Sequence, residues 1–143
     1  MSTAVSLHDI YLARERLHGR IRRTPLVRSA WLSELTGADV WLKLESLQVS
    51  HAFKVRGAFN AVVHLLEQVP DREPSRRPDR VVTASAGNHG QALAWAAREA
   101  GLTAVVFTPR DAARTKLEAI GRFGADLRAV ATNYDEAEAL ALA

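Results

Sequence analysis

Apolar positions recur along the chain with two periods, and the switches between them mark its elements. Leu7, Ile10, Leu17 and Ile21 follow at roughly helical spacing. Ser6 with Asp9 three residues on reads as a capped start to that helix. Arg23-Thr24-Pro25 breaks the pattern, because a residue before proline is pushed out of the α region. A short helix around Ala30 to Leu35 closes at Gly37. Val40 to Leu44 alternates with the period of a strand, and residues 45–52 read as a loop. Phe53 to Gln68 carries a helical stripe of Ala58, Ala61, Val62, Leu65 and Leu66.

Beyond a proline-rich connection at 69–79 the alternation becomes regular. Val81 to Ala84 is a short β-rich run, Ser85 to Asn88 a turn, and His89 to Ala100 a helix closed by Gly101. Thr103 to Thr108 is a buried strand, Ala112 to Phe123 a helix closed by Gly124, and Asp126 to Ala131 a third strand. Asn133 caps a last helix, and Tyr134 to Ala143 stops in mid-helix without a stop signal, as a fragment or truncated product would. Strands alternating with helices predict βαβ units: an α/β fold with a parallel sheet flanked by helices.

Composition changes this picture little. The chain has 143 residues, a net charge of +3 and no cysteine, which removes disulfides and thiolate metal sites. No run is long enough to span a bilayer, and Met1 to Leu17 has no apolar core or cleavage signature. These features predict a soluble, cytoplasmic protein without a membrane partner. The densest basic stretch, Arg72 to Arg80, is interrupted by prolines and mixed with acids. It reads as a solvated loop, so no nucleic-acid partner is expected. His8, His18 and His64 lack metal-ligand spacing, and Trp31, Trp41 and Trp95 read as packing residues.

Two places carry candidate chemistry. Lys54 opens a helix, where the macrodipole disfavours a cation, between Phe53 and Val55. Apolar flanks favour a neutral amine, the form a Schiff-base nucleophile needs. From position alone, a lysine that snorkels to water is the simpler reading. The turn Ser85-Ala86-Gly87-Asn88-His89-Gly90 joins a strand end to a helix start. Free backbone N–H groups there hold carboxylates or phosphates, and Gly87 and Gly90 would let the backbone approach a ligand. The turn lacks the G-x-G-x-x-G dinucleotide pattern. A purely structural turn capped by Ser85 is the alternative.

The segment LESLQVSHAFKVRGAFNA (44–61) resembles the lysine segment of the serine/threonine dehydratases, a family dependent on pyridoxal phosphate (PLP). VTASAGNHGQALAWAA (82–97) is similar to that family's asparagine loop. Both stand in family order, with Arg23-Thr24-Pro25-Leu26, Leu42-Lys43-Leu44-Glu45, Thr108-Pro109, Lys116 and Gly124-Ala125 in support. The resemblance covers the chain from about residue 7 to its end.

The resemblance implies a two-domain fold type II architecture. Residues 1–52 would form the lysine-bearing edge of a larger domain, and 53–143 a smaller α/β domain. Lys54 would hold PLP as a Schiff base and take the α-proton, Phe53 would pack on the ring, and Asn88 would bond the ring oxygen. Ser85, Ala86, Gly87 and His89 would line the pocket for the substrate carboxylate. The implied activity is an ammonia-lyase acting on threonine or serine, in a homo-oligomer when full length. Three departures stand out. His51-Ala52 replaces the usual Gly-Ser, position 86 is alanine where racemases tend to carry serine, and the chain ends before the family's phosphate loop and its pyridine-nitrogen contact. The last departure keeps a non-catalytic remnant or interaction subunit as a second reading. A mononucleotide-binding α/β module is a third.

Overall fold

The computed structural model describes residues 4–69 and 74–143. The expectations that fall on Pro70 and Arg72 lie outside the described residues.

Helix α1 (Leu7–Leu17) begins with the expected capping box: the Ser6 hydroxyl accepts from Asp9 N at 3.2 Å, and the Asp9 carboxylate accepts from Ser6 N at 2.8 Å. It ends short of Ile21, because His18 is extended and Gly19 turns the chain in the left-handed region at φ 70°. Strands β1 (Leu26–Arg28) and β2 (Trp41–Lys43) pair antiparallel around helix α2 (Ala30–Thr36), which closes at Gly37. Sequence periodicity does not reveal β1, since three residues are too few to show a period.

Helix α3 (Lys54–Glu67) buries Val55, Ala58, Phe59 and Val62. Ala61 and Leu65, expected inside, face outward. The buried stripe is thus rotated toward helix α4 (Asn88–Glu99), where Phe59 meets Trp95 at 5.4 Å between ring centroids. Ala92 and Ala96 of α4 complete that core, their small side chains letting the two helices approach closely.

The main sheet is parallel, in the order β3 (Arg80–Ala84), β4 (Thr103–Pro109), β5 (Asp126–Ala131). β4 lies centrally and its run from Ala104 to Thr108 is buried throughout, as a parallel strand covered on both faces requires. Its alternate residues sort the helices. Ala104 and Val106 pack with Ala94, Ala97 and Ile120, which places α4 and α5 (Arg114–Gly121) on one face. Val105 and Phe107 pack with Ala137 of α6 (Tyr134–Leu142) on the other. The carboxyl end of β3 therefore opens between helices of opposite faces, where open α/β sheets take ligands.

Candidate functional site

Lys54 is delivered by a tightly fastened loop. After one turn of 3-10 helix at Glu45–Leu47, the fully buried Gln48 side chain bonds both Arg22 backbone groups at 2.9 Å. Ser50 and Ala52 are also buried. Between them His51 holds φ 56°, the one positive φ at a non-glycine among the described residues. Its Nδ1 lies 3.1 Å from the Ser46 carbonyl, which can only accept, so Nδ1 carries the proton. Phe53 precedes α3 without a side-chain cap, and its exposed ring lies 5.5 Å from Lys54 Nζ. Lys54 itself is exposed and, among the described residues, has no carboxylate partner.

The same loop is clamped at its ends. Arg56 donates to the Glu45 carboxylate through Nε at 3.0 Å and a terminal nitrogen at 2.8 Å, and the Thr24 hydroxyl adds a third bond at 2.5 Å. Arg56 chiefly, with Thr24, holds the Glu45 carboxyl down at about 2.

The turn after β3 is anchored by Ser85 N, which donates to Phe107 O at 3.0 Å. The Ser85 hydroxyl accepts from Gly87 N at 3.3 Å and Gly90 N at 3.1 Å, so it caps α4. At Gly90 a Cβ would lie 2.5 Å from the Ser85 carbonyl oxygen. Helix-on-turn packing by itself requires that glycine. A Cβ at Gly87 would meet open space. The N–H groups of Ala86, Asn88 and His89 find no acceptor among the described residues. Burial first, and then the Lys54 charge, push the His89 imidazole below its ordinary pKa, so it is neutral at pH 7. Lys54 and the His89 side chain thus lie within each other's field.

Other residues are placed differently from expectation. Trp95 packs in the core at 4 % exposure, but Trp31 and Trp41 stand 70 % and 52 % exposed. Lys43 donates to the Thr24 carbonyl, and Lys116 sits in the first turn of α5, not its middle. No group of metal-ligating side chains occurs among the described residues, and no helix there is long and apolar enough to cross a membrane. Sequence reading misses Gln48, Arg56 and Tyr134, whose hydroxyl donates to the Ala84 carbonyl at 3.3 Å at the end of β3. The signal available is the segment 44–61, which contains Glu45, Gln48 and Arg56 without marking them as partners, whereas Tyr134 carries none.

Comparison with known proteins agrees with this arrangement. The L-threonine ammonia-lyase of Thermotoga maritima is 39% identical over 138 residues, covering 96% of this chain and 33% of that protein. A solved threonine deaminase from T.th. superposes with a TM-score of 0.79 at 31% identity, covering 96% of this chain and 41% of its own. The serine racemase of Dictyostelium discoideum gives 0.75 at 38% identity, covering 87% and 38%. The chain spans 33–38% of the length of the curated relatives it matches. Its similarity to the pyridoxal-phosphate dependent enzymes runs through residues 17–143, across both the Lys54 loop and the Ser85–Gly90 turn, and the chain belongs to that family.

Proposed function

We propose that Lys54 carries pyridoxal phosphate and that the activity is that of an ammonia-lyase acting on a hydroxy amino acid, threonine or serine. The observation that supports it best is the pairing of an exposed amine lacking an acid partner among the described residues with a helix start that has free N–H groups and whose His89 feels the Lys54 charge. The residues present fit the cofactor: an amine for its aldehyde, and an amide side chain at Asn88 on a turn packed closely at Gly90.

Bound cofactor supplies the electron sink that makes the substrate α-proton acidic. The chain's own residues do the rest. Once the substrate amine has displaced it from the cofactor, the Lys54 amine would take that proton. Phe53 would cover the cofactor ring, and Asn88 would bond its ring oxygen. The N–H groups of Ala86, Asn88 and His89, with Ser85 and Gly87, receive the substrate carboxylate at the helix start. Neutral His89 adds no charge to compete with Lys54. The β-hydroxyl would leave as water with the proton that Lys54 had taken, and hydrolysis would then release ammonia and a 2-oxo acid. Borohydride reduction of the full-length protein with PLP, followed by peptide mapping, is expected to place the label on Lys54. A label on Lys43 or Lys116 instead overturns the assignment.

The likeness to a serine racemase favours one rival, which Ala86 opposes: it offers no proton donor to the second face of the substrate. The full-length enzyme therefore releases ammonia from L-serine without matching D-serine formation, and comparable rates of the two would refute this. We assign residues 1–52 to the edge of a larger domain and 53–143 to a smaller one, in a cytoplasmic homo-oligomer of amino-acid metabolism. Because the chain is a minor part of its relatives' length, the 143 residues alone bind PLP weakly. Stoichiometric binding with sustained 2-oxobutanoate release from threonine would show a complete site.

A further inference from the structure

We propose that Glu45 and Arg56 form a positioning pair that fixes the direction in which Lys54 leaves α3, a role that rests on the assignment of Lys54 made above. Lys54 is the first residue of a helix whose N-cap makes no side-chain bond. The first turn of an uncapped helix has unsatisfied N–H groups and frays readily. Arg56 lies two positions on, about 200° around the helix axis from Lys54. Its side chain therefore pulls the far side of the first turn down, and Lys54 is left on the opposite side.

The geometry is specific as well as attractive. Arg56 presents two nitrogens of its planar fork to Glu45, at 3.0 and 2.8 Å. A forked contact of this kind sets orientation, which a single ammonium cannot do. Glu45 is itself held by the Thr24 hydroxyl, and its neighbour Leu44 N donates to Pro25 O at 3.0 Å. The pair thus closes the loop from 45 to 56 at both ends, with Gln48 and His51 locked inside. It has an electrostatic consequence too. The Glu45 carboxylate answers the Arg56 charge at the start of α3, which leaves Lys54 as the unanswered cation of that turn.

The test treats the full-length protein with PLP and borohydride and measures the pyridoxyl label at Lys54, Lys43 and Lys116. The variants are Glu45→Gln, Arg56→Lys, the exchanged double variant Glu45→Arg with Arg56→Glu, and Thr24→Val as a milder form. Amide hydrogen exchange is followed over 53–58 and over β4. The label at Lys54 falls about tenfold in the two single variants, as expected for a lost hydrogen bond between charged groups. Labelling at Lys116 and protection of β4 stay as in the wild type, exchange over 53–58 quickens, and the exchanged variant recovers part of the Lys54 label. An unchanged Lys54 share in Glu45→Gln and Arg56→Lys overturns the proposal. So does a loss shared equally by Lys116 and β4 in Thr24→Val, because the network would then hold the whole fold and not one side chain. A wild-type chain labelled no better at Lys54 than at Lys116 refutes the Lys54 assignment itself, a result distinct from either.

Discussion

Around β4 the apolar side chains are used up: Val105 to Phe107 lie between Ala94, Ala97 and Ile120 on one face and Ala137 on the other, with Trp95 behind. Residues 4–52 use theirs differently. Leu26, Trp31 and Trp41 face outward, and the segment is fastened by polar contacts: Gln48 on Arg22, Thr24 and Arg56 on Glu45, and Arg16 on Glu67 at 2.6 Å. Apolar burial is nondirectional and grows with area, so it gives the sheet its stability. Hydrogen bonds add little net stability but specify geometry, and geometry is what the role proposed for Lys54 needs.

The contrast is broken most directly through its tryptophans. Trp95→Ala costs about 3–5 kcal/mol, the range for a large aromatic removed from a packed core. Trp41→Ala costs under about 1 kcal/mol, since its ring is half exposed and its indole N–H only meets Asp39 at 3.0 Å. Urea unfolding with both slopes compared decides the matter. Equal losses at the two sites would show that the N-terminal segment has a core of its own.

A second prediction concerns the polar side. The Glu45 carboxyl, ordinarily near 4.5, is held at about 2 in the folded chain. A lowered carboxylate stabilises fully above its unfolded value and loses that effect as pH falls through the folded one. The pair therefore contributes at pH 5 and above, fades between 4.5 and about 2, and is gone below. Its size is about 1–2 kcal/mol, because both partners are partly solvated. Asp9, Asp39 and Glu67 are also lowered by their partners and add to the acid slope, so the measurement is a difference. Glu45→Gln flattens the stability–pH curve over that window relative to wild type, and parallel curves would refute the pair's contribution.

How much of the molecule is legible in its sequence follows from the same division. The sheet, its helices and their closing glycines can be read within a residue or two, because buried strands and amphipathic helices write their period into the chain. The capping box at Ser6 and the cap at Asn133 are also visible, being local. The clamp on Lys54 is not. Arg56 and Glu45 are 11 positions apart and Gln48 and Arg22 are 26 apart, and no periodicity links such partners. The buried face of α3 escapes for a related reason: Ala61 and Ala58 look alike in sequence, and only the approach of α4 chooses between them. Gly90 stands out in the sequence, but its packing against the Ser85 carbonyl is visible only once the turn and helix are folded together.

The smallest expected effect separates strain from bonding at His51. A non-glycine residue in the left-handed region costs about 1–2 kcal/mol, and here the Ser46 carbonyl bond and the Gln48 anchor hold it there. His51→Ala removes the ring bond and keeps the strain, so it destabilises by about 1 kcal/mol. His51→Gly removes the same bond and also relieves the strain, offset in part by the greater freedom of glycine in the unfolded chain. The glycine variant therefore lies about 0.5–1 kcal/mol above the alanine variant and close to wild type. Paired urea curves read that difference directly. If alanine equals glycine, the turn is not strained, and the rigidity before Lys54 must be attributed to Gln48 and the Glu45–Arg56 pair alone.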